Sequence, residues 1–383
     1  MRLANARRIL RVLELESLTA FDAHVGAQNS LVDTACQGLD LRERSWALMQ
    51  ADVRRSFFLG CQVEPSALEY LQRNGACVFP AIEGLPFRAF RAALYTADEL
   101  YDGYVAGDHD SYAATPDALA YYWHKETVGD FDVVRTLAER IHDHAIDDAL
   151  RAHLDEIGLT NVVAIMGGHG LTRVDDTYRQ VVELGRSLTR SGFHVATGGG
   201  PGAMEAANLG AWLASQPDDA LDQALSMLAD AAAFDPVGEW LDAAVAVRER
   251  WPLAADAPTS LGVPTWHYGH EPPNMFAACI AKYFANSIRE DGLLAMALGG
   301  VVFAPGSAGT IQEIFQDAAQ NHYESFGQAS PMVFFDEAYW TDTKPVYPVL
   351  QKLAADRAYG QLLTAFDEVD PIVDFLQQHR LAL

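Results

Sequence analysis

Three segments of this chain combine an apolar, strand-like run, a glycine-rich turn and a following helical pattern, and this repeat restricts the fold more than any other feature. The turns are Gly167-Gly168-His169-Gly170, Gly198-Gly199-Gly200-Pro201-Gly202 and Pro305-Gly306-Ser307-Ala308-Gly309-Thr310. Strands are expected at residues 162–166, 194–197, 260–263, 300–304 and 331–335. Strands that alternate with helices in this way predict an α/β domain with a Rossmann-like, doubly wound parallel sheet.

The first part of the chain has a different pattern. It is mostly helical in periodicity, with strand-like pieces at residues 56–63 and 76–82 on either side of a helix-length stretch. This change predicts a smaller N-terminal α/β unit at residues 1–155 and a Rossmann-like domain at residues 156–383. Within that domain, the Ala- and Asp-rich residues 214–258 are expected to form an inserted pair of helices.

The charge and the cysteines limit the function. Lys plus Arg number 27 against 52 Asp plus Glu, which gives a formal net charge of -25 and argues against binding of nucleic acid or an anionic membrane. The longest apolar run, residues 292–305, is too short to span a bilayer. Four widely spaced cysteines without a CxxC pair predict reduced, buried thiols, no zinc site and a cytoplasmic protein.

Each glycine turn is a candidate anion site. A helix that begins directly after a strand leaves unpaired amides and the positive end of its dipole at one point. None of the three turns is a Walker A loop or a GxGxxG fingerprint, which disfavours ATP hydrolysis and NAD chemistry. Any single turn is as readily a tight connection without a ligand, but three in one sheet favour phosphate binding.

The second turn extended to Ala207 (residues 198–207) and the third turn extended to Glu313 (residues 305–313) resemble the paired motifs of the LOG family, whose signature is PGGxGTxxE. The first turn, the PGAMEA stretch and Glu271-Pro272-Pro273-Asn274 are similar to the larger bacterial branch of that family, which acts on pyrimidine and purine monophosphates. The resemblance covers residues 158–383. In two places the chain departs from the family: Ser307 replaces a glycine of the signature, and Arg289 lies one residue further from Pro305 than the family's catalytic arginine.

The resemblance implies hydrolysis of the N-glycosidic bond of a nucleoside 5'-monophosphate to free base and ribose 5-phosphate. It implies a homodimer or higher homo-oligomer and catalytic roles for Glu313 and Arg289. No cofactor is expected, and no spacing of Asp, His or Cys resembles a metal site. The expected nucleotide-binding residues are Gly167, Gly168, His169, Gly199, Gly200, Pro201, Gly202, Met204, Glu205, Glu271, Asn274, Asn286, Gly306, Ser307, Ala308, Gly309 and Thr310.

Elementary chemistry agrees with this expectation. Cleavage of an N-ribosyl bond passes through an oxocarbenium-like state that needs a nearby carboxylate, and Glu313 lies one turn into the helix that follows the third glycine turn. A solvated glutamate favoured by the helix dipole is the simpler alternative. Lys282, Asn286 and Arg289 are spaced to share one face of a helix within residues 275–296, where they would meet either solvent or a ligand.

Two further expectations concern function and assembly. The same fold occurs in molybdenum-cofactor carriers, so a non-catalytic nucleotide- or cofactor-binding protein is the alternative function, because fold alone does not decide activity. Residues 275–296 are apolar on more faces than one core contact requires, which predicts a homodimer at least.

Overall fold

A computed structural model describes residues 12–127, 132–254, 257, 259–268 and 271–380. Its contacts divide the chain into two units. The first comprises Met1–Ala93 and Phe131–Ala149, and the second Leu94–Asp130 and Leu150–Leu383. Residues 94–130 are thus grouped with the larger unit, whereas the sequence pattern places them with the smaller one. The division into separate domains near residue 155 stays a prediction.

The first unit contains a parallel sheet of four short strands in the order β1-β2-β3-β4. The strands are β1 Leu13–Leu15, β2 Thr34–Gln37, β3 Phe57–Leu59 and β4 Cys77–Phe79, and the helices between them are α1 Leu18–Gln28, α2 Ser45–Gln50 and α3 Pro65–Arg73. Its core includes Phe21, Cys36 and Phe58, which are fully buried. Cys77 is exposed, so the prediction of buried thiols fails at this cysteine.

The second unit is built on a seven-stranded sheet in which every neighbouring pair is parallel. The strands are β5 Val162–Met166, β6 His194–Thr197, β7 Leu261–Gly262, β8 Cys279–Ile280, β9 Gly300–Phe303, β10 Met332–Phe335 and β11 Leu363–Phe366. The α/β fold with a parallel sheet is therefore confirmed, and β5 and β6 occupy the residues that the sequence pattern indicated. The pattern did not indicate β8 or β11.

Helices connect most of these strands. They are α4 Ala97–Leu100, α5 Pro116–Thr127, α6 Val133–Ile157, α7 Asp176–Arg190, α8 Ala203–Trp212, α9 Asp219–Leu228, α10 Val237–Arg250, α11 Asn286–Met296, α12 Ala308–Tyr323, α13 Tyr347–Ala354 and α14 Val369–Gln378. Two of them, α9 and α10, occupy the stretch expected to hold an inserted helix pair. Within the described ranges, no helix is both long and apolar enough to cross a membrane.

The strand order β11-β10-β9-β5-β6-β7-β8 places a topological switch point between β5 and β9. From β5 the chain adds β6, β7 and β8 on one side, and it then returns to add β9, β10 and β11 on the other. Connections that leave in opposite directions from adjacent strands open a crevice at the carboxyl edge of the sheet. The turns after β5 and β9 border this crevice, and the amide of Gly168 donates to the carbonyl of Pro305 at 3.1 Å.

The prediction that Lys282, Asn286 and Arg289 share one helical face is wrong, because α11 begins only at Asn286 and residues 279–280 form strand β8. The Lys282 side chain is buried and pairs with Asp117. Its ammonium group also lies 4.9 Å from the centroid of the Trp266 ring. Lys282 is thus a core residue whose ammonium group is paired and shielded from solvent.

Burial within the second unit accounts for the apolar stretch that suggested a dimer. Met275, Phe276, Ile280, Tyr283 and Phe284 are each at most 4% exposed. Since these side chains are already packed inside the chain, they provide no apolar surface for a second subunit. The homodimer stays a prediction that rests on the family resemblance.

Candidate active site

A cavity of about 560 Å³ lies at the switch point of the seven-stranded sheet. The glycine turns after β5, β6 and β9 form part of its wall, and α8, α11, α12 and the loop after β7 also contribute to it. Of the expected site residues, those that line it are Gly167, Gly168, His169, Met204, Glu271, Arg289, Ser307, Ala308, Gly309, Thr310 and Glu313. Gly198, Tyr268 and Glu290 also line the cavity, although they are not among the expected nucleotide-binding residues.

Arg289 and Glu313 form the most buried charged pair of this cavity. Arg289 Nη1 lies 3.5 Å from Glu313 Oε1, and the side chains are only 13% and 12% exposed. Arg289 Nε donates to the carbonyl of Val263 at 3.1 Å, which fixes the guanidinium. Burial raises the pKa of Glu313, and the charge of Arg289 opposes this rise. The different spacing of Arg289 in the sequence therefore does not keep it from the motif glutamate.

Ser307 fits the third glycine turn without backbone strain. It is the N-cap of α12 with φ −117°, outside the left-handed region that favours glycine. The first intrahelical bond runs from the amide of Ile311 to the carbonyl of Ser307 at 2.9 Å. The amides of Ala308, Gly309 and Thr310 precede this bond, so helix geometry leaves them without intrahelical partners at the cavity.

Gly309 is a glycine that neither its backbone nor its neighbours require. Its φ is not positive, and a Cβ added to it would meet no atom within 4 Å. Gly306 differs, because a Cβ there would lie 2.1 Å from Thr310 Oγ1. Gly306 thus allows the turn to pack closely, whereas Gly309, which lines the cavity, has open space beside it.

The turn after β6 shapes the cavity. Gly199 and Gly202 have φ of +73° and +71°, and a Cβ on Gly198 would lie 2.4 Å from Arg289 Nη2. Asn274 braces this turn: its amide donates to Gly199 O at 2.8 Å, and its Nδ2 donates to Gly200 O at 3.1 Å. Because Asn274 is fully buried and does not line the cavity, its position does not support direct contact with a nucleotide. Gly199, Gly200, Pro201, Gly202 and Gly306 are likewise absent from the lining.

Glu205 is a core residue. Arg173 donates to both of its carboxylate oxygens, at 2.5 and 3.1 Å, and the Tyr178 hydroxyl donates to Oε2 at 3.0 Å. The Arg173 and Glu205 side chains are each 1% exposed. This placement does not support the expected contact with a nucleotide, because the carboxylate faces the partners that offset its burial.

Asn286 belongs to a polar network centred on Glu290. The Glu290 carboxylate accepts hydrogen bonds from Asn286 Nδ2 at 2.6 Å, Gln312 Nε2 at 2.9 Å and the Tyr268 hydroxyl at 3.2 Å. Asn286 does not line the cavity, whereas Glu290 and Tyr268 do. The network therefore links α11, α12 and the loop after β7 at one wall of the cavity.

A second pair of titratable groups lies on the wall formed by the turn after β5 and the loop after β7. His169 Nδ1 is 3.5 Å from Glu271 Oε1, with side chains 58% and 31% exposed. The cavity thus presents the carboxylates of Glu271, Glu290 and Glu313 against the guanidinium of Arg289. Such a lining favours positive charge that develops on a bound molecule.

No protein-family model and no curated protein sequence matches this chain. Among solved structures, it is similar to a molybdenum cofactor binding protein from the phototrophic bacterium Rippkaea orientalis, with 13% sequence identity and a TM-score of 0.36. It is also similar to a Moco carrier protein from Chlamydomonas reinhardtii, with 17% identity and a TM-score of 0.34. Each match covers 57% of this chain and 95% of the other chain. At these TM-scores the likeness does not extend to function.

Proposed function

We propose that this protein is a nucleoside 5'-monophosphate nucleosidase, which hydrolyses the N-glycosidic bond to a free base and ribose 5-phosphate. The observation that carries the proposal is the position of Glu313. Its carboxylate lines the same cavity as the N-terminus of α12, and it is held beside Arg289 in largely buried surroundings. An anion site and a buried carboxylate in one cavity match the two ends of the ribosyl phosphate group.

The 5'-phosphate is placed at the N-terminus of α12. The amides of Ala308, Gly309 and Thr310 and the positive end of the helix dipole favour an anion there. Backbone amides suit this role because Arg289 is the only lysine or arginine among the described residues that line the cavity. A phosphate held by amides also leaves Arg289 available to balance Glu313.

Glu313 acts on the ribosyl carbon. A water oxygen attacks C1', the electron pair of the C1'–N bond departs with the base, and Glu313 accepts the proton of the water. Before that transfer, the carboxylate steadies the positive charge on the ribosyl group. Glu313 must be ionised for both tasks, and Arg289 lowers its pKa against the opposing effect of burial.

Arg289→Ala should weaken binding and slow turnover together. It removes a charged hydrogen-bonding group next to Glu313, so we expect a fall in kcat/KM of about tenfold to hundredfold. Because Arg289 lowers the pKa of Glu313, its loss should also move the acid limb of the pH–rate profile to higher pH. A pH–rate profile of the variant that keeps the wild-type midpoint would contradict this coupling.

The proposed activity is tested by incubating the purified protein with AMP, GMP, IMP, CMP and UMP. We expect free base and ribose 5-phosphate to be released, and chromatography detects both products. Co-purification of a stoichiometric, unhydrolysed nucleotide or pterin, with no base released from any of the five, would overturn the proposal in favour of a carrier.

Gly309→Ala should separate stability from binding. Gly309 lines the cavity and the added methyl group enters open space there, so we expect it to crowd a bound phosphate and to raise the nucleotide Kd about tenfold or more. Alanine is also the better helix former, and the variant should be more stable by about 0.5–1 kcal/mol. Titration calorimetry and chemical denaturation measure the two effects.

The matched control is Gly292→Ala. Gly292 also lies within a helix, α11, where an added Cβ meets no atom within 4 Å, but it does not line the cavity. We expect a similar gain in stability with unchanged nucleotide binding. If Gly309→Ala binds nucleotide like the wild type, the phosphate does not lie over the N-terminus of α12.

A further inference from the structure

The pair formed by His169 and Glu271 has no task in the steps described so far. Both side chains line the cavity that holds Glu313. We propose that His169 is the general acid that protonates the departing base and that Glu271 is its positioning residue. This inference rests on the proposed nucleosidase function and deepens it.

Hydrolysis of a nucleotide requires a proton for the leaving group. When the C1'–N bond breaks, its electron pair stays on the base, and a purine or pyrimidine leaves poorly as an anion. Glu313 faces the opposite demand, because it must accept a proton from water. Enzymes that cleave glycosidic bonds meet the two demands with two separate titratable groups in one site, and the second pair of this cavity supplies such a group.

The backbone at His169 is held in place by the neighbouring turn. Gly202 has φ +71°, and a Cβ on it would lie 2.7 Å from the carbonyl oxygen of His169, so only glycine permits this approach. The His169 ring also makes an edge contact with Phe234 at a centroid distance of 6.3 Å. These contacts fix the turn that carries the imidazole at the cavity.

The orientation of the ring assigns its two nitrogens. Nδ1 faces Glu271 Oε1 at 3.5 Å, so Nε2 is the nitrogen that remains to donate to a base. Glu271 balances the charge of the imidazolium until the proton is transferred. Among the described residues, the other charged groups that line the cavity are Glu290 and Arg289 from α11 and Glu313 from α12.

The step balances in atoms and charge. A bond forms between the water oxygen and C1', and the C1'–N bond breaks with its electron pair on the base. The proton on His169 Nε2 moves to a ring nitrogen or carbonyl oxygen of the base, and the water proton moves to Glu313. Exchange with solvent then returns a proton to His169 and removes one from Glu313, so that only water and the nucleotide are consumed.

Substrates whose bases need no proton test this role. Nicotinamide mononucleotide and 7-methylguanosine 5'-monophosphate carry a positively charged base that leaves as a neutral molecule. For His169→Gln, we expect turnover of the best substrate among AMP, GMP, IMP, CMP and UMP to fall about 10²-fold or more, with the charged-base substrates changed less than about threefold. Glu271→Gln should show the same selectivity with a smaller loss. His267→Gln is the control, since this exposed histidine does not line the cavity, and it should leave all rates unchanged.

Other outcomes are equally decisive. Equal losses for both kinds of substrate would assign His169 to binding or structure, and wild-type rates in the variant would remove it from the reaction. Either result overturns the general-acid role. If the wild type cleaves neutral-base nucleotides only, the pH–rate profiles of the two proteins test the general-acid role. The alkaline limb of the wild-type profile must then be absent in His169→Gln, and a limb that remains overturns the role. A wild-type protein that releases no base at all refutes the nucleosidase function itself.

Discussion

Replacing Glu313 with glutamine is expected to lower the turnover number about 10²- to 10⁴-fold, with the nucleotide Kd changed by less than about tenfold. Glutamine keeps the size and hydrogen-bonding capacity of the side chain but removes its negative charge. Phosphate capture belongs to the amides of α12, so the loss should fall on the step in which charge develops at C1'. Steady-state kinetics and equilibrium binding of a monophosphate measure the two quantities separately.

The pH dependence of the rate provides a second test of the role of Glu313. Burial raises the pKa of Glu313, so the acid limb of the wild-type rate should lie above the pH at which an exposed glutamate titrates. The limb should be absent in Glu313→Gln. Glu290 also raises the pKa of Glu313, and its replacement by glutamine should therefore move the limb to lower pH.

Glu290→Gln is also the matched control for charge. It removes one carboxylate from the same cavity but leaves the group next to Arg289 intact. We expect it to reduce turnover by less than about tenfold, since it leaves in place Glu313, the group that accepts the proton in the proposed step. Hydrolysis at the wild-type rate by Glu313→Gln would remove the catalytic assignment and favour a carrier.

The repeated strand–turn–helix pattern was sufficient to predict the parallel sheet, because each repeat is a local signal: an apolar run, a glycine turn and a helical periodicity follow one another directly in the sequence. Both β5 and β6 are buried along their whole length, and β5 carries a continuous apolar run, which is a clear strand signal in a sequence. Strand β8 has only two residues, and its pairing with β7 depends on a partner distant in sequence. A strand this short has no periodicity to detect.

The site was harder to predict wherever a side chain finds a distant partner. Glu205 stands in a motif that resembles a nucleotide-binding signature, but Arg173 and Tyr178 occupy its carboxylate in the core. Lys282 follows a helical spacing by coincidence: it lies between β8 and α11, outside any helix, and pairs with Asp117 of α5. In both cases, tertiary contacts override the local pattern.

Glu290 shows the opposite limitation. The sequence marks it only as the neighbour of Arg289, yet it lines the cavity and gathers hydrogen bonds from Tyr268, Asn286 and Gln312. Its importance follows from three elements that meet at one point. No spacing rule along a single helix could have indicated that meeting point.

A second large effect is expected for Asp317→Asn, in the helix that carries Glu313. Asp317 is 2% exposed, its Oδ2 has no hydrogen-bond partner within the described residues, and burial raises its pKa from 3.8 to about 8. The folded protein therefore holds this proton at pH values where the unfolded chain has released it. The resulting stabilisation is complete below about pH 4 and is lost as the pH rises towards 8.

The magnitude follows from linkage. Between pH 5 and pH 8, the buried carboxyl should lower the free energy of unfolding of the wild type by about 3–4 kcal/mol relative to Asp317→Asn, which cannot ionise. Chemical denaturation of both proteins at the two pH values measures this difference. Asp356→Asn, at an exposed position, is the control. Its free energy of unfolding should change with pH as that of the wild type does, because the buried carboxyl of Asp317 is still present.

The same ionisation should reach the active site. Asp317 lies one turn beyond Glu313 on α12, and the first turn of that helix supplies the phosphate-binding amides. An uncompensated buried charge at residue 317 disfavours the packed position of α12, so nucleotide affinity of the wild type should fall above about pH 8 together with its stability. Asp317→Asn should retain affinity in that range. Parallel loss of affinity in wild type and variant would show that the ionisation of Asp317 does not control α12.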